Sequence, residues 1–141
     1  KGIKMQIVPT LHFNGNCREA LELYSKAFGG KITYILSYGE ADDPQYGELS
    51  DAQRNFVFHS ELHIGQMRLN MCDELEGVNC GNALFLTAMC ETVSQALSAW
   101  EVMKEGAVVI YPPSQTFFAD IRALLIDRFG IKWGIIKEKQ D

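Results

Sequence analysis

Three histidines and one glutamate carry most of the chemistry open to this chain. His59, Glu61 and His63 alternate along the run from Phe56 to Ile64. Alternate residues of a strand share one face and stand about 7 Å apart, so two imidazoles and a carboxylate would line up in a row. Three ligands from one flat strand strain a single metal centre, whereas two of them with His12 from another strand could hold one. The same groups could act as an acid/base set or as plain hydrogen-bond partners, because imidazole changes charge near neutral pH. The plainer reading is a half-exposed polar sheet face, with Phe58, Leu62 and Ile64 turned the other way.

Aromatic residues form a second group. Phe117, Phe118 and Trp133 fit the wall of a ligand cleft, since a large ring with one donor suits stacking; core packing is the alternative for each. Trp100 falls on a helix stripe and is expected in the core. Arg122 could pair an anion or simply be solvated. Cys72 and Cys90 have no base visible beside them in the sequence, and buried inert thiols are the default. Asn14 and Asn16 fit turn and cap roles.

The elements that must position these residues are legible from periodicity. Cys17, Ala20, Leu21, Tyr24, Ala27 and Phe28 recur at helical spacing over 17–28, with Asn16 and Glu19 as a capping pair and Gly29-Gly30 as the stop. Val93, Ala96, Leu97, Trp100 and Met103 mark a second helix over 93–105, capped by Thr92 with Gln95 and stopped by Gly106. One offset of 76 carries Asn16, Ala20, Leu21, Tyr24 and Gly30 onto Thr92, Ala96, Leu97, Trp100 and Gly106. Extended runs flank each helix: 7–13, 31–37, 56–64 and 66–72 in the first half, then 83–89, 107–111, 116–126 and 131–137 in the second. Each half therefore reads strand, helix, strand, strand, strand, as in a duplicated module. The polar stretch 73–81 links the halves. The acidic stretch 38–55 is expected to be a long irregular loop, a lid or a solvated segment.

Phe13-Asn14-Gly15-Asn16-Cys17-Arg18-Glu19-Ala20, then Tyr24 and Phe28-Gly29-Gly30, resemble the opening of PhnB-like proteins of the vicinal oxygen chelate superfamily. Gln115-Thr116-Phe117-Phe118-Ala119, Asp127-Arg128-Phe129-Gly130 and Trp133 resemble the closing signature of that group. The resemblance runs from about Val8 to Ile136. It implies an α+β fold of two βαβββ modules (about 5–75 and 82–138 of a single glyoxalase-like domain over 1–141) with a central cleft, assembled as a homodimer. Glyoxalases, extradiol dioxygenases, fosfomycin-resistance enzymes and bleomycin-binding proteins share the superfamily. Some PhnB-like proteins carry a demethylubiquinone methyltransferase label, which this sequence argues against: it has no Gly-rich strand-to-helix loop for a nucleotide-like cofactor.

The resemblance also implies a divalent metal held by His and Glu from strands facing the cleft. The matching positions here fall at Pro9, within 68–71, within 83–89 and at Gly134, and none offers a ligand side chain. The expectation is therefore no metal and no other cofactor. His59 is the foremost pocket candidate, since PhnB-like proteins often carry His at the matching position.

Composition bounds the partners. A net charge of −5 without a Lys/Arg cluster gives no electrostatic reason to bind nucleic acid. No run approaches the roughly 20 apolar residues that span a bilayer. Residues 1–8 lack the apolar core of a secretory signal, with Met5 the expected natural start. Cys17, Cys72, Cys80 and Cys90 show no paired spacing and are expected as free thiols of a cytoplasmic protein. The leading expectation is metal-independent binding of a small molecule in a cleft between modules or across a dimer, with His12, His59, Glu61, His63, Phe117, Phe118 and Trp133 as candidate contacts. Two alternatives stay open: an isomerase- or lyase-type enzyme with a relocated metal or a histidine acid/base, and a non-catalytic dimeric interaction module.

Overall fold

Two four-stranded mixed sheets with one strand order organise the chain. In the computed structural model, which describes residues 4–140, the first sheet contains β1 (Thr10–Phe13), β2 (Lys31–Ser37), β3 (Val57–Ile64) and β4 (Met67–Asp73) in the order β1-β4-β3-β2. The second contains β5 (Leu86–Met89), β6 (Val108–Ser114), β7 (Ala119–Ile126) and β8 (Lys132–Glu138) in the order β5-β8-β7-β6. In each sheet the first strand runs parallel to the last and the remaining pairs are antiparallel. β1 and β5 keep the offset of 76 read from the helix motifs. The duplicated module is thus present in the backbone as well as in the sequence.

Helix α1 (Cys17–Phe28) follows β1, and α4 (Val93–Met103) follows β5. Both start and stop close to where the motifs place them. Gly29 adopts φ 68°, and Gly30 N–H reaches back to Ser25 O at 3.0 Å, the left-handed closure that a glycine stop provides. Thr92 Oγ1 accepts from Gln95 N–H at 3.0 Å, but the Gln95 side chain accepts from Glu91 N–H rather than from the cap residue. Asn16 Oδ1 accepts from Asn14 N–H, while Cys17 N–H donates to the buried Asp73 carboxylate.

The described residues form two compact units, 4–25 with 30–78, and 26–29 with 79–140. In the first, Phe13, Cys17, Ala20, Leu21, Tyr24, Leu62 and Met71 are out of water, each large apolar side chain stabilising by about 1.5–3 kcal/mol. In the second, Ala96, Trp100, Met103, Ala123, Leu125, Trp133 and Ile135 do the same. No helix among the described residues is long and apolar enough to cross a membrane.

Three expectations are corrected. The stretch 38–55 is not an irregular loop: it holds α2 (Tyr38–Ala41), a 3-10 turn (Pro44–Tyr46) and α3 (Asp51–Arg54). Ser37 with Glu40, and Ser50 with Gln53, form reciprocal capping boxes that organise these turns. The Tyr38 ring is buried and meets Tyr46 and Phe58 edge-on. β1 starts at Thr10 rather than Ile7, because Pro9 has no N–H for the ladder and extends it only through its carbonyl, which accepts from Asn70 N–H at 2.9 Å. β7 starts at Ala119 rather than Thr116, because Thr116 Oγ1 captures the N–H groups of Phe118 and Ala119 at 3.2 and 3.0 Å, a local turn that competes with strand pairing.

Candidate functional site

The first sheet has a packed face and an open face. Leu11, Phe13, Ser60, Leu62, Leu69 and Met71 turn toward α1, where Phe13 meets Tyr24 and the Ser60 hydroxyl lies 4.0 Å from the Cys17 thiol. The pleat therefore sends the alternate residues the other way: Thr10 and His12 from β1, Arg68, Asn70 and Cys72 from β4, and His59, Glu61 and His63 from β3. The cross-strand pairs Glu61↔Asn70, His63↔Arg68, Thr10↔Asn70 and His12↔Cys72 fix the registers. All three histidines of the chain thus stand on one sheet face.

They do not converge on one point. His59 Nε2 lies 3.1 Å from Glu61 Oε2, and Arg68 Nη1 approaches Glu61 Oε1 at 3.5 Å. The hydrogen bond from His59 comes first in holding the Glu61 carboxyl below its usual range, ahead of the charges of Arg68 and His63. The Tyr34 ring sits 5.9 Å from the His59 imidazole, centroid to centroid. Two polar side-chain atoms nearby, Arg68 Nε and Asn70 Oδ1, are out of water and find no hydrogen-bond partner among the described residues. His63 is exposed and borders, with Gln6, Ile7, Val8, Gln66, Met67 and Arg68, a pocket of about 340 Å³.

His12 belongs to a different group. Its Nδ1 is hydrogen-bonded to Glu74 Oε2 and lies 3.5 Å from Cys72 Sγ. The sequence therefore conceals both a base beside Cys72 and the part played by Glu74. Only the parallel pairing of β1 with β4 joins them, and a sequence separation of about sixty residues carries no local signal of it. Burial first, then the charges of Glu74 and Asp73, push the Cys72 thiol up to about 11, so it is protonated at neutral pH.

The aromatic candidates separate sharply. Trp133 is 4% exposed, its indole Nε1–H donates to Asp127 Oδ2 at 2.9 Å, and Phe28 lies 4.8 Å from its ring within the same unit. It is a core residue, not a ligand wall. Phe117 and Phe118 stack on each other at 5.3 Å in the turn before β7, with Phe117 93% exposed. Arg122 is not simply solvated: its guanidinium lies 4.4 Å over the Tyr111 ring. Trp100 is buried as expected, and the four cysteines are free.

The positions at which the superfamily would hold a metal do not fit one. Pro9 has no ligating atom in its side chain, and the open-face residues of β4 there are Arg68 and Asn70. Gly134 pairs with Leu124 and Thr87, and a Cβ placed on it would meet Thr87 Oγ1 at 3.1 Å and Leu124 Cδ2 at 3.2 Å. Neighbouring side chains already fill the space that a carboxylate ligand would need.

Comparison with known proteins agrees with the architecture. No family model matches the chain. Protein YjdN of Escherichia coli strain K12 is 22% identical over 143 residues, covering 96% of this chain and 97% of that protein. Among solved structures, protein PA1353 from Pseudomonas aeruginosa has a TM-score of 0.82 at 29% identity, covering 97% of this chain and all of the other. The PhnB protein from Bacillus cereus reaches 0.72 at 18% identity, with 94% and 99% covered. A glyoxylase/bleomycin resistance protein/dioxygenase domain from Frankia reaches 0.67 at 12% identity, with 98% and 100% covered.

Proposed function

The chain has the fold of the vicinal oxygen chelate superfamily in its PhnB-like form, and from that premise we propose that it binds a small polar molecule on the open face of its first sheet without using a metal at the superfamily's positions. The observation that carries this reading is the pair of unpartnered atoms, Arg68 Nε and Asn70 Oδ1. A buried donor or acceptor without a partner costs about 1–3 kcal/mol. An unpaired donor and an unpaired acceptor two residues apart on one strand face would gain partners if a ligand such as an amide or a hydroxy acid, seated on the partly exposed His59, Glu61 and Arg68 side chains, displaced what covers them. His59 and Glu61 supply further hydrogen bonds beside them, and the Tyr34 ring supplies an apolar surface. The four free cysteines fit the cytoplasmic setting that this reading assumes.

The test is a thermal-shift and calorimetric screen of small neutral amides and hydroxy acids against the full chain, run with and without a chelator. We expect at least one compound to raise Tm, with no change on chelation. Arg68→Met and Asn70→Leu should each abolish that rise; Asn70→Leu should keep the unliganded Tm equal or higher, because it removes a buried acceptor that has no partner, while Arg68→Met also gives up the contact of Nη1 with Glu61. A screen with no binder, or a shift that survives in both variants, would refute the reading.

A second observation favours a homodimer. The outer strands β2 and β6 expose Ile32, Tyr34 and Ile35, and Val108, Val109, Ile110 and Tyr111. An uncovered apolar edge strand is a template for further pairing and is normally blunted or covered; β2 has no proline or charge at mid-strand to blunt it, and in β6 the stretch Val108–Tyr111 precedes the blunting pair Pro112-Pro113. A second copy of the chain is the partner that the reading assigns. Sedimentation should give a dimer that Val109→Lys converts to monomer, and a monomeric wild type at high concentration would rule the assembly out.

A further inference from the structure

The geometry points to a soft divalent cation site formed by His12, Cys72 and Glu74, away from the positions at which the superfamily holds its metal. The three side chains offer an imidazole nitrogen, a thiol sulfur and a carboxylate oxygen, all within 4.8 Å of one another. They come from one rigid seam. His12 and Cys72 are directly paired across the parallel β1–β4 ladder. Glu74 N–H donates to Phe13 O at 2.8 Å, which carries the ladder one step further and returns Glu74 to the face of Cys72. Between them the buried Asp73 accepts three backbone N–H groups, from Gly15, Cys17 and Val57, each at 2.9 Å, so the backbone that presents Cys72 and Glu74 is tied on both sides.

The nitrogen–sulfur separation matches what a tetrahedral ion needs. Zinc bonds of about 2.3 Å to sulfur and 2.0–2.1 Å to nitrogen set those two ligand atoms about 3.5 Å apart, and His12 Nδ1 lies 3.5 Å from Cys72 Sγ. The same Nδ1 faces Glu74 Oε2 in a hydrogen bond, so a cation entering between them replaces one contact by two metal bonds. The side chains of His12 and Glu74 are 45% and 42% exposed, which leaves the fourth position open to water. A thiolate, an imidazole and one carboxylate select zinc, cobalt or nickel over magnesium and calcium, which prefer all-oxygen shells. On binding, Cys72 enters as a thiolate and gives its proton to solvent, with no change of oxidation state. The site lies on the same sheet face as the proposed ligand contacts but uses neither Arg68 nor Asn70, so either can fail alone.

Cobalt(II) titrated into chelator-stripped full-length protein tests the assignment. We expect saturation at one ion per chain, with a sulfur-to-cobalt charge-transfer band and visible bands of tetrahedral intensity, all displaced by zinc. Cys72→Ser should abolish the charge-transfer band, and His12→Ala and Glu74→Gln should each weaken binding by about tenfold or more. Cys17→Ser, Cys80→Ser and Cys90→Ser should leave the spectrum unchanged. Zinc should also protect Cys72 of the wild type from iodoacetamide in peptide mapping, a readout that needs no variant to fold. A charge-transfer band that persists in Cys72→Ser, saturation absent in the wild type, or Cys72 alkylated equally with and without zinc would overturn the site.

Discussion

The open faces of the two sheets share a strand order and differ in almost everything else. The first presents His12, His59, Glu61, His63, Arg68, Asn70 and Cys72. On the second, the residues alternating with the buried Ala123, Leu125, Trp133 and Ile135 are Arg122, Leu124, Ile126, Lys132, Gly134 and Ile136, with Thr87 and Met89 alongside. Histidine is absent there. Both packed faces, by contrast, are apolar and covered by the helix that follows the first strand. The helix packs on one side of each sheet, and it is the other side whose chemistry differs between the modules. Site residues cannot be carried from one module to the other by the offset of 76, even though caps and stripes can.

Buried carboxylates give the first way to break this comparison. Asp73 ends β4 and accepts three N–H groups from two separate segments of the first unit, the start of α1 and the start of β3. Asp127 follows β7 and accepts from Phe129 N–H, Ile131 N–H and Trp133 Nε1, all within one turn and the strand it feeds. Removing either leaves buried donors without partners, at about 1–3 kcal/mol each. Asp73→Ala should therefore cost roughly 4–5 kcal/mol, and Asp127→Ala roughly 2–4 kcal/mol, because its local turn can relax toward water. Urea denaturation measures both. If Asp73→Ala proved the milder change, long-range ties would not be what secures the first unit.

The sequence disclosed the scaffold far better than the site, and the residues say why. Helix faces, stops and strand alternation are local patterns, so α1, α4 and the eight strands stand close to where periodicity puts them. The likeness of Asn16–Gly30 to Thr92–Gly106 made the duplication visible. What failed was also physical. For Trp133 core packing and a cleft wall both stayed open, because it alternates with Lys132, Gly134 and Ile136 and nothing local tells which face its strand buries; burial and the bond to Asp127 Oδ2 favour the core. The His12–Cys72–Glu74 group arises only from parallel pairing across the length of a module. His59 and Glu61 were visible together, because a spacing of two on one strand is itself a contact. The helical turns of 38–55 were written in the sequence as Ser-x-x-Glu and Ser-x-x-Gln, and composition obscured them.

Those turns are also where the modules differ most, since β2 and β3 are joined by 38–56 while β6 and β7 are joined by only 115–118. Two capping boxes hold the insertion, and they allow an internal control. Ser37→Ala and Ser50→Ala should each cost about 1 kcal/mol, the smaller loss falling on the exposed Ser50. Only one box titrates. The Glu40 carboxyl is held below its ordinary value of 4.5, chiefly by the Ser37 backbone N–H, then by the Ser37 side chain. A depressed folded pKa means that the contribution is present above the unfolded carboxylate pKa and is lost as pH falls through the folded one. Amide-exchange protection at Ser37 should therefore drop as pH is lowered from about 5 toward 3, relative to its intrinsic rate, while protection at Ser50, whose partner is the neutral Gln53, stays level. Glu40→Gln should flatten the Ser37 response to match. A parallel decline at both serines would place the acid sensitivity in the unit as a whole and not in the box.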